Sequence, residues 1–237
     1  MQRSLAIPVL SGFFLIMAAA GSLAQKAAPK PSSGWQQTFS VSPADLASVG
    51  ENPYFILKPG YRLTLEGQEG GKTVRLAISV LDETKTIGGI EARVVEERET
   101  ENGAIVEVSR NYFAIHTTTK DVYYLGEDVD IYTNGKVTGH EGAWLHGVKG
   151  ATFGLLMPAA PVVGQRYYQE VAPKVAMDRA EVISLSAKLA TPAGTFERCL
   201  EIEESTPLEG GKERKLYAPG VGLIKDGELQ LVSVTKR

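Results

Sequence analysis

The feature that most constrains this fold is a period-two alternation of apolar and polar residues, which begins near Tyr61 and continues to the C-terminus. Residues 74–80 have the sequence Val-Arg-Leu-Ala-Ile-Ser-Val, so their large apolar side chains fall on one face of an extended strand. Pairs such as Gly70-Gly71 and Gly88-Gly89 interrupt the pattern, because glycine accepts the positive φ of tight hairpins. The pattern predicts at least ten antiparallel strands and little helix.

Several sequence features repeat at an offset of 104 residues. Gly60-Tyr61-Arg62 recurs as Gly164-Gln165-Arg166, and Phe113-Ala114 recurs as Tyr217-Ala218. Two similar β-meanders would bury their apolar faces against each other, because one such sheet cannot cover its own core. We therefore predict an all-β, antiparallel domain of two similar halves, about 51–140 and 160–237, packed as a sandwich or as paired half-barrels.

Residues 1–24 have the features of a cleavable secretory signal peptide. Arg3 supplies a positive n-region, the stretch after it is almost purely apolar, and Ser22-Leu23-Ala24 is a small-x-small cleavage pattern. The alternative is a membrane anchor, but Pro8 and Gly12 interrupt the stretch, and about 20 predominantly apolar residues are needed to span a bilayer. We expect an exported protein, periplasmic or extracellular, with no stable membrane anchor after cleavage.

Residues 25–50 are rich in Ala, Pro, Lys and Ser, a composition typical of a linker. Within them, Ser42-Pro43-Ala44-Asp45 combines a preferred N-cap with a proline at the first helical position, and so predicts one short helix. The folded part is expected to be a single domain over residues 51–237.

Charge and cysteine content exclude some classes of protein. Removal of residues 1–24 takes away one arginine and no acid, and leaves 24 basic and 28 acidic side chains, a net charge of −4. This balance argues against a nucleic-acid partner. The only cysteine is Cys199, so no intramolecular disulfide can form, and we predict a buried small apolar side chain rather than a reactive thiol.

The connection between the two halves, residues 139–164, departs from strand chemistry. It carries Trp144, Phe153 and Met157 among glycines, and long irregular segments in compact domains are often functional. These side chains either line the mouth of a pocket or cover the open end of the core, and the second interpretation is favoured because exposed apolar loops usually fold back. Together with Tyr217 they are the candidate ligand-binding residues.

A metal site is the next possibility, because the three histidines fall within one stretch of the chain. His140 and His146 are six residues apart and flank Trp144, and imidazoles with a nearby carboxylate such as Glu141 suit zinc or copper. Glu127, Asp128 and Asp130 form an acidic cluster that would suit calcium. Neither pattern has a diagnostic spacing, so solvated loop charges are the favoured interpretation and no cofactor is predicted.

The sequence contains several turn-and-strand motifs: Asn52-Pro53-Tyr54-Phe55 with Leu57-Lys58-Pro59-Gly60, Met157-Pro158-Ala159-Ala160-Pro161, Pro192-Ala193-Gly194-Thr195-Phe196-Glu197, and Tyr217-Ala218-Pro219-Gly220-Val221-Gly222-Leu223. These motifs resemble those of a family of uncharacterised bacterial exported proteins. The resemblance covers about residues 51–237. It implies a β-rich secreted domain, and it carries over no catalytic residue.

Catalytic chemistry has weak support, because no Gly-x-Ser-x-Gly elbow is present to expose a serine nucleophile. A pair of carboxylates could act from among Glu96, Glu97, Glu99, Glu201, Glu203 and Glu204. Basic neighbours such as Arg93 and Arg98 instead favour charged outer faces of a sheet.

Two functions therefore remain. The first is a non-enzymatic binding or structural protein of the bacterial envelope, which holds an apolar small molecule or an envelope protein between the two β halves. The alternative is an exported hydrolase that uses glutamates or a metal near His140 and His146.

Overall fold

The computed structural model describes residues 34–236, and the fold of this part of the chain is antiparallel β. The predicted signal peptide, residues 1–24, and the first residues of the predicted linker lie outside the described residues. The predicted short helix is confirmed as a three-residue 3-10 turn, Pro43–Asp45, in which Ser42 Oγ accepts a hydrogen bond from Ala44 N at 3.3 Å. Between residues 34 and 236 no helix is long and apolar enough to cross a membrane.

Eighteen strands form within the described residues. They are β1 (Leu46–Ala47), β2 (Gly50–Asn52), β3 (Phe55–Leu57), β4 (Arg62–Glu69), β5 (Lys72–Ile87), β6 (Ile90–Glu101), β7 (Ala104–His116), β8 (Val122–Thr133), β9 (Lys136–Gly139), β10 (Trp144–Leu145), β11 (Thr152–Met157), β12 (Arg166–Tyr168), β13 (Glu170–Val171), β14 (Arg179–Thr191), β15 (Gly194–Ser205), β16 (Glu213–Ala218), β17 (Gly222–Asp226) and β18 (Leu229–Thr235).

Sixteen of these strands form one sheet, while β2 and β3 make a separate hairpin. The main path of the sheet runs β12-β14-β15-β16-β17-β18-β4-β5-β6-β7-β8-β11-β13. Its two ends, β12 and β13, are separated along the chain by Gln169 alone, so the edges of the sheet meet and the sheet is nearly closed and barrel-like. The predicted all-β, antiparallel fold is confirmed, and β18 pairs with β4 to join the two predicted halves.

The core consists of side chains that alternate along the long strands. Leu65, Leu200, Ile202 and Leu231 are fully buried, as strand alternation requires of positions that face the inside of a closed sheet. Cys199 is also fully buried, as predicted for a small apolar side chain, and it is a free thiol.

The segment 34–50, which falls within the predicted linker, contacts the sheet. β1 pairs with β7, and Gln36 forms a bridge with Tyr167. Trp35 stacks against the guanidinium of Arg179, 4.5 Å from its ring centroid. The apolar and aromatic side chains of this segment explain why it packs, in spite of its linker-like composition.

Arg93 differs from its expected place on an outer face. The side chain is 7% exposed, and its Nε donates to the carbonyl of Ser48 at 3.0 Å. Its Nη1 also donates to the carbonyl of Leu81, where the pairing of β5 with β6 shifts register. The prediction of a solvated arginine was wrong, because burial of a charged side chain is tolerated where backbone carbonyls satisfy its donors.

Candidate functional site

A cavity of about 280 Å³ lies inside the barrel-like sheet. Side chains from β4 to β8 form one wall, and side chains from β15 to β17 form part of the opposite wall. Asp178, an exposed residue, also lines the cavity and therefore marks a place where it meets solvent. The volume is about twice that of an apolar cavity that holds one benzene ring.

The cavity changes from acidic to aromatic along the strand direction. On β7 the inward residues run from Glu107 through Ser109 and Asn111 to Phe113, and on β16 they run from Lys215 to Tyr217. These two strands are six antiparallel pairings apart and therefore point the same way. The two walls thus place their charged groups at one end of the cavity and their aromatic rings at the other.

The aromatic end combines rings from three elements. Phe113 is opposite Tyr124 in the register of β7 and β8, with ring centroids 4.8 Å apart, and Phe55 contacts Phe113 edge-on at 5.1 Å. On the other wall, Tyr217 is opposite Leu223 in the register of β16 and β17. This end can bury a ring or a short hydrocarbon.

The charged end contains seven carboxylates and one ammonium. The carboxylates belong to Glu97, Glu107, Glu127, Glu170, Asp178, Glu204 and Asp226, and the ammonium belongs to Lys215. Lys215 Nζ is 3.0 Å from Glu204 Oε2 and 3.3 Å from Asp226 Oδ2. Burial by itself lowers the pKa of Lys215, but these two carboxylates outweigh it and hold the pKa well above its usual value.

The remaining carboxylates are not neutralised in this way. Burial raises the pKa of Glu97 to about 7, and Lys215 opposes the shift only in part. Burial likewise raises the pKa of Glu127 to about 7, although a hydrogen bond with Tyr124 counteracts it. Among the described residues, Glu97 and Glu107 form neither a hydrogen bond nor an ion pair. A second positive charge would therefore be stabilised at this end of the cavity.

A polar network fixes the wall between the two ends. Tyr124 Oη donates to Asn111 Oδ1 at 2.5 Å, and Asn111 Nδ2 donates to Ser109 Oγ at 3.1 Å. These side chains are buried, so each satisfied bond holds its neighbour in one rotamer. The wall is therefore rigid and its shape is preformed.

The junction of β12 and β13 adds a second group of buried polar side chains. Gln169 Nε2 donates to Glu204 Oε1 at 2.8 Å, and Glu170 Oε1 accepts from the backbone N–H of Asp178 at 2.5 Å. Burial raises the pKa of Glu170 well above its usual value, and the nearby Asp178 raises it further. This junction connects the charged end of the cavity to its exposed edge at Asp178.

Of the four candidate ligand-binding residues, Tyr217 lines this cavity. Trp144 is 6% exposed, packs against Tyr124 at 5.2 Å, and lines a neighbouring cavity of about 270 Å³. Phe153 packs edge-on against Tyr123 at 5.7 Å, and Met157 is fully buried in the core. Neither Phe153 nor Met157 lines either cavity, so the structure does not bring the four residues into one site.

The two candidate metal ligands have separate surroundings. His140 is largely exposed, and its Nδ1 is 3.0 Å from Asp130 Oδ1. His146 packs against Phe153 with ring centroids 4.9 Å apart, and burial lowers its pKa. Over residues 34–236 no group of three or more His, Cys, Asp or Glu side chains is arranged to hold a metal ion.

The candidate glutamates divide between the two faces of the sheet. Glu201 and Glu203 form outer ion pairs with Arg214, and Glu96 lies 3.4 Å from Arg98, as expected of charged outer faces. Glu97 and Glu204 line the cavity instead, so the outer-face interpretation was wrong for these two. Strand alternation shows that adjacent acids face opposite sides, but it does not say which side is inside.

Sequence reasoning missed Glu107, Glu170, Lys215 and Asp226, and it considered Glu127 only as part of an acidic loop cluster that would suit calcium. On β7, residues 107, 109 and 111 form a polar run on one face, while Val108 and Tyr112 lie on the other face. Ordinary strand alternation places such a polar face outside, so no local signal assigns these residues to an interior site.

Known proteins provide no relative for this site: no family model, no curated protein and no solved structure matches the chain. The resemblance to uncharacterised bacterial exported proteins stays an expectation.

Proposed function

We propose that this chain is an exported, non-enzymatic binding protein that holds a small molecule inside its barrel-like sheet. The observation that carries the proposal is the cavity of about 280 Å³, which has an aromatic end and, at its other end, seven carboxylates and one ammonium. Small-molecule sites commonly combine apolar surface, which provides affinity, with polar groups that fix orientation, and this cavity has both, with more charge than most.

Hydrogen bonds in the wall hold the shape of the cavity in the absence of a ligand. Tyr61 Oη donates to the carbonyl of Val221 at 2.6 Å, and this bond connects the loop before β4 to the turn between β16 and β17. Both residues line the cavity. A preformed wall of this kind lowers the ordering cost of binding, which favours a binding role.

We also infer that the body arose by duplication. Supporting observations are the strand bounds, because β5 ends at Ile87 and β6 spans Ile90–Glu101, while β14 ends at Thr191 and β15 spans Gly194–Ser205, each 104 residues later. Gly60 N donates to Val80 O at 2.8 Å, and Gly164 N donates to Val182 O at 2.8 Å. Two repeats that each supply half of the wall would enclose one site between them.

Export is supported by the sequence of residues 1–24 alone. The intact mass of protein purified from its own host tests it. We expect a mature chain that begins at Gln25, and a chain that retains Arg3 would contradict export by cleavage.

Native mass spectrometry of the same preparation tests ligand binding, with two variants that occlude one cavity each. Leu156 lines the main cavity and is partly buried, so Leu156→Trp should fill it, whereas Val148, 49% exposed, lines only the neighbouring cavity and Val148→Trp should fill that one. We expect wild type and Val148→Trp to carry a bound small molecule, and Leu156→Trp to have lost it.

Two results would contradict this placement. Loss of the molecule in Val148→Trp with retention in Leu156→Trp would place the ligand beside Trp144. If wild type carries no added mass and phenylbutanol, an uncharged probe, also causes no rise in melting temperature, the cavity does not bind small molecules.

One observation favours the alternative of a hydrolase. Glu97 and Glu127 share the cavity, and burial raises the pKa of each to about 7, which is the range of a general acid at neutral pH. Chemical change of the co-purified molecule over time, abolished in Glu127→Gln, would favour this alternative over a binding protein.

A further inference from the structure

We propose that the ligand is an organic cation, a molecule that carries one protonated amine on an apolar body of about ring size. This inference rests on the proposed binding function and deepens it. The charge distribution of the cavity wall, the shape of the cavity and one unpartnered hydroxyl lead to it independently.

The distribution of charged groups in the cavity wall favours a cationic ligand. Lys215 neutralises Glu204 and Asp226, with which it forms ion pairs, and leaves Glu97 and Glu107 without a hydrogen bond or an ion pair among the described residues. Both of these glutamates are partly accessible, and the cavity that they line is the space their carboxylates face. A buried carboxylate is stabilised when a donor of opposite charge approaches it, so an ammonium group gains where a neutral ligand does not.

The shape of the cavity supplies the apolar part of the ligand. Glu97 is opposite Ser109 in the register of β6 and β7, and Ser109 lies four residues before Phe113, so about 14 Å separates the levels of Glu97 and Phe113 at about 3.4 Å per residue. Glu107 lies two residues, about 7 Å, further along β7. An amine joined to a ring by a short chain spans from the aromatic end toward the carboxylates. The ring faces of Phe113 and Tyr124 can also attract a cation that passes over them.

Tyr217 provides the second, independent observation. The residue is 7% exposed, it lines the cavity, and its hydroxyl has no hydrogen-bond partner among residues 34–236. The oxygen itself keeps accessible surface, so a ligand in the cavity can supply the missing hydrogen bond. The hydroxyl lies on the strand that carries Lys215, two residues away and on the same face, and can accept from an ammonium placed between them and Glu97.

The arrangement favours an organic cation over a metal ion. The carboxylates are distributed over β6, β7, β8, β13, β15 and β17, and within the described part of the chain no three of them are grouped to hold a metal. A metal ion needs several oxygen ligands at one point. An ammonium, with three donors, is satisfied by one or two carboxylates and a hydroxyl.

Calorimetric titration of the mature protein with three probes of matched shape tests the inference. The probes are phenylbutylamine, phenylbutanol and phenylbutyrate, which carry a positive charge, no charge and a negative charge. At pH 8 we expect the amine to bind about tenfold or more tightly than the alcohol, since hydrogen bonds to charged groups are the stronger ones, and the acid not to bind.

Variants locate the charge that is recognised. Glu97→Gln and Glu107→Gln should each weaken the amine about tenfold and leave the alcohol unchanged, and Tyr217→Phe should weaken the amine by a few-fold. Glu96→Gln is the matched control, because Glu96 is the neighbour of Glu97 on β6, does not line the cavity and lies beside Arg98. Circular dichroism of each variant checks folding, and two separate glutamates keep the test open if one variant does not fold.

Acidification provides a further readout. Lys215, Asp226, Glu107, Glu204 and Glu127 are charged or titratable groups that face Glu97, and protonation of Glu97 below about pH 7 removes the charge that the amine contacts. We expect the affinity for the amine to fall between pH 8 and pH 5.5, and the affinity for the alcohol to stay constant.

The outcomes separate the two proposals. Equal binding of amine and alcohol, both lost in Leu156→Trp, would overturn the cationic ligand and leave the binding function standing. Failure of all three probes to bind would overturn the cationic ligand, and it would overturn the binding function as well if wild type also carries no co-purified molecule. Stoichiometric binding of Ca²⁺ or Zn²⁺ in competition with the amine would overturn the organic cation as the ligand.

Discussion

Lys215 and Glu97 face each other across the interior of the sheet, from strands that are five antiparallel pairings apart. Lys215 lowers the pKa of Glu97, but burial raises it by more, so that the carboxyl has a pKa of about 7. The nearest ion-pair partners of Lys215 are Glu204 and Asp226. The ammonium of Lys215 is therefore paired with carboxylates on its own wall of the cavity. Glu97, on the opposite wall, is partly protonated at neutral pH.

Glu97→Gln should stabilise the protein at high pH. Because the pKa of Glu97 is about 7 in the fold and 4.5 when unperturbed, the folded state favours the neutral acid, and wild type loses stability as the pH rises from about 4.5 through 7. The glutamine side chain has no charge to bury. The free energy of unfolding of Glu97→Gln should therefore exceed that of wild type by about 3 kcal/mol at most above pH 8, and the two should be equal below pH 4.5. Urea unfolding across this range measures it.

The control for this prediction is Glu96→Gln, on the adjacent position of β6. Its free energy of unfolding should differ from wild type by about 0.5 kcal/mol or less at every pH, as for other accessible ion pairs. A Glu97→Gln variant that is less stable than wild type at pH 8 would contradict the placement of this carboxyl inside the sheet.

Lys215→Met should destabilise the protein strongly at neutral pH. The ammonium is the cation that balances Glu204 and Asp226 within the cavity wall, and loss of one partner of a largely buried ion pair leaves a carboxylate unpaired, at a cost of about 3 kcal/mol. Urea unfolding at pH 7.5 measures the loss. Lys212→Met, which removes a mostly exposed ammonium beside Glu203, should cost about 0.5 kcal/mol or less.

A double variant checks the mechanism of that loss. Adding Glu204→Gln to Lys215→Met should recover part of the stability, because it removes one of the carboxylates that Lys215 neutralises. Strictly additive losses would mean that Lys215 stabilises the fold by packing alone.

Arg93→Met should loosen the N-terminal segment from the sheet. The guanidinium donates to the carbonyls of Ser48, Leu81 and Glu83, so its loss removes a donor from three carbonyls and should cost about 3 kcal/mol. Hydrogen exchange should increase over β1 and β2 more than over β15. Arg98→Met, which lacks these backbone contacts, is the control and should leave exchange unchanged.

Cys199 should be inert in the native protein. The thiol is fully buried and burial raises its pKa, so both access and the thiolate fraction are low. An aromatic disulfide reagent should react on the order of 100-fold more slowly with native protein than with protein in denaturant. Equal rates in both conditions would show that β15 opens readily.

How far the sequence predicted the site can be judged from β6. The alternation predicted the strand, and it placed Glu96 and Glu97 on opposite faces, but both faces carry acids and apolar residues, so nothing local distinguishes inside from outside. Of the four candidate ligand-binding residues, Tyr217 alone lines the main cavity, whereas Trp144 lines the neighbouring one. Their separation depends on which strands become neighbours, and strand order is a long-range property.

The sequence by itself determined the strands, the tight glycine hairpins and the short turn after Ser42, because period-two alternation and positive φ are local constraints on the backbone. Only the tertiary structure decided that β12 and β13 would bring the edges of the sheet together and enclose seven carboxylates with Lys215. Closure decides which face of each strand is removed from water, and removal from water is what turns ordinary glutamates into groups with raised pKa.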